Sequence, residues 1–316
     1  MANQESRQGI NNITLTGAVK EHKLTENTKD GNKSIGGSIV IKTGEFSEIE
    51  LKVFVGEKNK DGKPKKAYET LKKFITGEHL TMASAKDSED VVSKVKIFGN
   101  KDFTPHIKEE IYKSNEEVKT TLSMNLGFGT IIVDNSIKEE DYKAEFEIEM
   151  FVTSVTEEVK KDETTGRAVI TGWTPLYGGK VMPMKVVAGV IKDEEGNDYD
   201  FAQDILSQVE EGMTINTWGN IDYKSIITKV KKGGGLGKAK IEESREYIHD
   251  FVIEGADIQE NEEKEFDMEL IKKAKIERDT EIENIRNEES KDDKKTKGLS
   301  GGVVDEKKPK RERPKF

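Results

Sequence analysis

The 316-residue sequence predicts a mainly β fold: two tandem small barrels, each with one short helix, followed by a charged C-terminal tail that is partly helical or disordered. Three observations carry this. Period-two alternation of apolar and polar residues dominates about the first 250 residues. A series of strands and one short helix occurs twice along the chain. Apolar residues are only 33% of the chain against 36% charged, which supplies small cores of half-buried strands rather than buried parallel ones.

In the first half, Ile13-Thr14-Leu15-Thr16, Ser38-Ile39-Val40-Ile41 and Ile49-Glu50-Leu51-Lys52-Val53-Phe54-Val55 read as strands with one buried face. Ala67 to Gly77 reads as a helix, because Tyr68, Leu71, Phe74 and Ile75 fall at helical spacing and Gly77 supplies a C-cap. An extra stretch, Glu78 to Ser93, precedes a strand ending in Phe98-Gly99-Asn100. Thr104 to Val133 reads as Pro105, a helix, then strands from Thr120 onward.

The series returns downstream. Glu145 to Val152 alternates as an opening strand, Val181 to Val187 takes the third-strand role, and Phe201 to Gly212 is a short helix ended by glycine. Lys52-Val53-Phe54-Val55-Gly56 matches Lys185-Val186-Val187-Ala188-Gly189. Phe98-Gly99-Asn100-Lys101-Asp102-Phe103 matches Trp218-Gly219-Asn220-Ile221-Asp222-Tyr223, 120 positions on (218 − 98). Three strands, a helix and further strands is the order of a five-stranded OB barrel. The expected division is therefore a first OB-fold domain over 10–143, a second over 144–258 and a charged tail over 259–316.

The passage Gly212-Met213-Thr214-Ile215-Asn216-Thr217-Trp218-Gly219-Asn220-Ile221 directly follows the second helix. Its pattern is similar to the helix-to-fourth-strand passage of bacterial single-stranded DNA-binding proteins. Over about residues 10 to 258 the chain resembles the tandem-OB single-stranded DNA-binding proteins encoded by tailed bacteriophages. The resemblance implies coating and protection of single-stranded DNA in replication or recombination, in the host cytoplasm. It also implies protein partners of that machinery, reached through the C-terminal tail.

Sequence-tolerant binding of single strands needs aromatic faces for bases and cations for phosphates. Residues two apart share a face of a strand, so parity sorts the candidates. Ile49, Leu51, Val53 and Val55 should fill the first barrel, leaving Lys52 and Phe54 outside; Met182, Met184, Val186 and Ala188 should fill the second, leaving Lys185 and Val187 outside. The same test puts Lys96 and Phe98 outside in one copy, and Asn216 and Trp218 in the other. Phe98 and Trp218 read either as stacking faces or as packing against a loop or the other domain. Between the second and third strands of the second copy, Trp173, Tyr177 and Lys180 with neighbouring glycines read as a stacking platform, or else as a turn with a packed tryptophan. The counterpart Gly44 to Glu48 is shorter and acidic, so the second barrel is expected to bind more strongly.

Lysines also crowd Lys58 to Lys66 and the glycine-rich stretch Lys229 to Lys240, which includes Lys231 and Lys232. The latter fails as a phosphate-binding P-loop: Gly233 and Gly237 stand one residue too close, and Ala239 replaces the required Ser or Thr. It reads as a basic hairpin over a bound strand or as a solvated loop. In the tail, Phe266, Leu270, Ile271, Ala274, Ile282 and Ile285 predict an amphipathic helix over 265–287, with disorder beyond. The basic end, Glu306 to Phe316, reads as a weak nucleic-acid or protein contact or as a solubilising tail.

Composition trims the alternatives. Without cysteine there are no disulfides or thiolate metal sites, and His22, His79, His106 and His249 are not at metal-ligand spacing. No apolar run approaches the roughly 20 residues of a membrane span, and the start MANQESRQG is not signal-like, so a cytoplasmic protein without a membrane partner is expected. No acid/base, metal or nucleophile constellation stands out, so the expectation is a binding protein with no cofactor and no enzymatic activity. A net charge of −10 argues against indiscriminate binding to duplex DNA but allows a local basic face. The alternatives are a structural or assembly protein using OB barrels as adaptors, and a replication accessory or annealing factor.

Overall fold

Alternation along β1 (Asn11–His22) puts Ile13, Leu15 and Val19 on one face, and all three are buried. The computed structural model describes residues 5–87, 89–99, 104–114, 117–193, 195–232 and 240–297, with only the backbone for 225–232, 240–246 and 288–297. After β1 come β2 (Thr25–Lys29), β3 (Asn32–Lys42) and β4 (Glu48–Gly56). Helix α1 (Lys66–Thr76) follows, then β5 (Lys94–Phe98), β6 (His106–Ser114), β7 (Glu117–Asn125) and β8 (Thr130–Val133). β1 pairs with β3 and β3 with β4, all antiparallel. β4 pairs parallel with the end of β7 at Leu51↔Met124, β8 pairs with β5, and β5 returns to β1. The fifth barrel strand is thus delivered in two pieces, the end of β7 and β8, and the barrel closes. Tyr68, Leu71 and Phe74 of α1 are buried in its core, and Gly77 caps the helix in the left-handed region at φ 79°.

The second barrel repeats the circuit with β9 (Lys143–Lys160), β10 (Glu163–Pro175), β11 (Val181–Ala188), the short pair β12 (Val190–Lys192) and β13 (Asp198–Asp200), α2 (Phe201–Gln208), β14 (Thr214–Lys232) and β15 (Lys240–Ile258). β9 pairs with β10, β10 with β11, β11 parallel with β15, β15 with β14, and β14 with β9. The register is shared as well as the order. Ser38↔Lys52 in the first barrel corresponds to Thr171↔Lys185 in the second, both partners shifted by 133 positions (171 − 38 and 185 − 52). Leu15↔Ile97 corresponds to Ile148↔Thr217. The barrels join edge to edge through their first strands, β1 and β9, from Asn11↔Ile148 to Thr16↔Lys143. In both copies the fourth and fifth strands run beyond the barrel as a long two-stranded arm, β6–β7 in the first and β14–β15 in the second. The fold is therefore mainly β, two OB-type barrels in one continuous sheet, and α3 (Met268–Lys297) closes the described chain.

Four sequence expectations need correction. The helix expected after Pro105 is strand β6: beyond buried Ile107 this arm leaves the barrel, so no helical face is buried there, and its backbone pairs residue by residue with β7. Helix α2 stops at Gln208 rather than Gly212, because Val209 turns into the core and is buried. Val187, expected outside, is buried; it is flanked across the sheet by Val169 and Val252, and the three β-branched side chains shield one another. The tail helix continues past 287 to Lys297, through a stretch in which the good helix formers Glu and Lys alternate with weaker Ser, Asp and Thr.

The aromatic-Gly-Asn match has a structural basis in its glycine. Opposite Trp218 and Gly219 the partner strand β15 bulges, with Glu254 as the extra residue, and a Cβ on Gly219 would lie 2.1 Å from the Val252 carbonyl oxygen. A Cβ on Gly99 would lie 2.3 Å from Thr104 Cγ2. Asn100 to Phe103, the remainder of the first motif, lie outside the described residues.

Candidate nucleic-acid interface

OB barrels present ligands with the outer face of their second and third strands and the loops beside them. In the first barrel that face belongs to β3 and β4. Phe54 lies across from Gly36, which has no side chain to cover it, and is 77% exposed. Its neighbour on the same face, Lys52, is paired with Glu110 of the β6–β7 arm. Burial resists the charge on Glu110, but hydrogen bonds from Lys52 and Ser123 with the Lys52 charge outweigh it and hold the carboxyl below its ordinary range. The lysine-rich segment after β4 is a built turn: Asn59 Oδ1 accepts the amides of Asp61 and Lys63, and Gly62 takes φ 77°. Lys65 from this turn lies 5.3 Å from the ring of Phe128, itself 69% exposed.

The corresponding face of the second barrel, β10 and β11, is arranged differently. Lys185 is exposed and pairs across from Thr171, and no ion pair ties it to a described residue. Trp173 is not in a loop, as its sequence context suggested, because β10 continues to Pro175. It is half-buried beside Phe151, Val181, Phe266, Ile271 and Ala274, with Lys275 Nζ 5.9 Å and Arg278 Cζ 5.5 Å from the ring centroid. Tyr177 sits in the turn that follows, 87% exposed, where Gly178 and Gly179 both have positive φ. No ring contact joins Tyr177 to Trp173 among the described residues. Lys180 is drawn to Glu281 of α3 at 3.5 Å. Between this face and the β6–β7 arm runs a groove of about 400 Å³, walled by Leu122, Trp173, Pro183, Met184 and Lys185.

Phe98 and Trp218 do come together. Both lie outside their barrels, 37% and 38% exposed, and both line one cleft of about 410 Å³ across the β1–β9 junction. The Trp218 indole lies over Gly255 of β15, where an added Cβ would come within 2.4 Å of it. The charged groups lining this cleft are Glu145, Glu147 and Glu254. Lys96 points outward beside it but is held by Asp134 at 3.3 Å. Among the described residues the cleft thus offers aromatic surface lined by carboxylates and no cation, a poor seat for phosphates and a better one for an uncharged base.

Lys231 and Lys232 end strand β14, so they stand near the tip of an arm rather than in a loop. Their side chains, and residues 233–239 between the strands, lie outside the described residues. The basic end from Glu306 to Phe316 also lies outside them.

The arm carries a feature that parity within single strands does not show. Tyr223 of β14 stacks on its ladder partner His249 of β15, centroids 4.5 Å apart. Tyr247 follows edge-on at 6.4 Å and is 63% exposed. On the other side Phe251 and Phe146 continue the row into the core. Cross-strand pairing creates this row from residues 26 positions apart (249 − 223). Arg167, also unforeseen, stands on the β10 face with Asp250 at 2.8 Å. Among the described residues, no group of three or more His, Asp or Glu is placed to hold a metal ion, and no helix is long and apolar enough to cross a membrane.

The family model described as YorF matches residues 9–288. A comparison with curated proteins finds no match. Among solved structures, the chain is similar to the wild-type single-stranded DNA binding protein from Thermus aquaticus, at 9% identity and a TM-score of 0.42, covering 81% of this chain and 95% of that one. A deletion mutant of the same Thermus aquaticus protein gives 8% identity and a TM-score of 0.41, covering 81% and 97%.

Proposed function

We propose that this chain, which belongs to the YorF family, binds single-stranded DNA without chemistry, holding it on the outer faces of its two barrels. The observation that carries the reading is the outward lysine repeated in register on both faces, Lys52 opposite Ser38 and Lys185 opposite Thr171, with exposed Phe54 beside the first. Lysines answer phosphates and the phenyl ring answers a base, the two ingredients of sequence-tolerant binding. The setting implied by the sequence resemblance is protection of single strands during phage DNA replication or recombination, with the tail recruiting partner proteins. Acidic residues elsewhere account for the net charge of −10 and disfavour loose association with duplex.

The test is a fluorescence titration with oligo-dT and with the matching duplex at low salt. Single strands are expected to bind, the duplex far more weakly, and affinity for the strand should fall as salt rises. Absence of binding to any single strand at low salt overturns the reading and leaves the barrels as structural adaptors.

A further inference from the structure

We propose that α3 is a displaceable cover on the nucleic-acid face of the second barrel, so that a strand engages the first barrel freely and the second only by moving the helix. The proposal rests on the function proposed above and concerns its regulation. Three observations lead to it.

The helix sits where the ligand would. Lys275 and Arg278 lie over the indole of Trp173, and Glu281 engages Lys180. Both Trp173 and Lys180 belong to the face that, in an OB barrel, meets nucleic acid. Among the described residues no helix lies on the same face of the first barrel, and Phe54 there is 77% exposed.

The attachment has a firm root and a light body. At the root, Phe266 donates its amide to Thr214 Oγ1 at 2.8 Å and packs under the guanidinium of Arg7, which also pairs with Glu149. Among the described side chains of the helix, Ile271 and Ala274 are the buried apolar ones, with Leu270, Ile282 and Ile285 half-buried. A helix held by so small an apolar footprint can leave while its root stays in place.

The latch is ionic and shared with the other barrel. Arg278 Nε donates to Glu109 Oε2 at 2.7 Å, a second hydrogen bond joins the same pair, and Glu109 belongs to the β6–β7 arm of the first barrel. The bond to Glu109 and its charge raise the Arg278 pKa, so this cation persists at any working pH. A phosphate backbone arriving at this groove presents the same kind of anionic oxygens as Glu109 and competes for the same guanidinium. Binding of DNA and release of the helix then become one exchange of partners, and the first barrel's arm senses it.

The experiment uses the full chain and fluorescein-labelled oligo-dT of about 30 nucleotides, comparing wild type, Arg278→Glu, and the swapped pair Arg278→Glu with Glu109→Arg. Arg278→Glu makes the protein two charges more negative, so simple electrostatics predicts weaker binding. A cover without its latch predicts the reverse: affinity about tenfold higher, with faster amide hydrogen exchange over residues 268–286. The swapped pair restores the latch and should return both readouts toward wild type, and circular dichroism of Arg278→Glu itself checks that the single variant is folded. If wild type binds and Arg278→Glu binds equally, the cover is overturned; if it binds more weakly, the cover is overturned and α3 belongs to the phosphate-tracking surface. If neither wild type nor variants bind any single strand, the function proposed above fails first and the cover falls with it.

Discussion

The two barrels share a circuit and a register, yet their second-to-third strand faces have opposite fates. In the first, Phe54 stands open; at the corresponding position of the second is Val187, which is buried. In the second, Trp173 lies under a helix; at the corresponding position of the first is Val40, without an aromatic ring. The lysines coincide and the face aromatics do not. Where the halves agree most closely, at the aromatic-Gly-Asn motif, the agreement answers to the frame: Gly99 and Gly219 both stand where a side chain has no room. Repetition therefore marks what the barrel requires, and departure from it marks where the two copies were put to different use.

The largest expected effect tests the frame. Gly219→Ala places a methyl group 2.1 Å from a backbone oxygen that cannot swing aside, and should lower stability by about 3 kcal/mol, read as a shifted urea midpoint. Gly99→Ala meets Thr104 instead and should cost comparably. A loss below about 1 kcal/mol at both positions would show that the bulge relaxes and that the motif is not a frame requirement. Next comes the contrast between faces. Phe54→Ala should weaken binding of oligo-dT by about 1–3 kcal/mol with stability unchanged, since little of the ring is buried. Trp173→Ala should lower the melting temperature, because the indole supports α3, and should change affinity less than Phe54→Ala does. Equal losses of affinity with stability intact would break the asymmetry.

Much of this frame was legible from alternation alone. Parity placed Ile49, Leu51, Val53 and Val55 inside and Lys52 and Phe54 outside, and the structure agrees at each position. Parity also put Phe98 and Trp218 outside but not in a common cleft, because their meeting depends on the β1–β9 pairing of one barrel with the other. The fate of Trp173 was hidden for a related reason. Its cover arrives from about 100 residues downstream, and a strand's own pattern records only which face is turned away from its barrel, not what else lands on that face. The β6 arm was misread because a hairpin outside the barrel buries neither a strand face nor a helix face, and so carries no clear period.

A smaller effect separates the two lysines. Taking away one cation that neutralises a phosphate of a single strand should flatten the dependence of log affinity on log salt by about 0.7. Lys52→Ala and Lys185→Ala should both do so, but their absolute affinities should diverge. Removing Lys52 leaves the Glu110 carboxylate, now without its partner, on the binding face, whereas no described carboxylate is paired with Lys185. Lys52→Ala should therefore weaken binding more, and Lys52→Ala with Glu110→Gln should recover part of that loss. Identical losses from both single variants would mean that the Lys52–Glu110 pair is already broken when the strand is bound.

The smallest effect distinguishes the helices that plug the barrels. Phe74 of α1 packs between His22, at 6.3 Å, and His79, at 5.1 Å, whereas α2 carries no histidine. Burial lowers the pKa of His79 below its ordinary 6.5, the charge of Lys73 lowers it further, and Glu78 only partly opposes them. The unfolded chain therefore takes up this proton at a higher pH than the folded one. Stability from a neutral His79 is complete above about pH 6.5 and declines as pH falls below that value toward the lowered folded pKa. Between pH 7.5 and 5.5, amide exchange in α1 should accelerate, after correction for intrinsic rates, relative to that in α2. His79→Gln, which cannot titrate, should abolish the difference. If the two helices loosen in parallel and the substitution changes nothing, the acid sensitivity of the chain lies in its carboxylates and not in this plug.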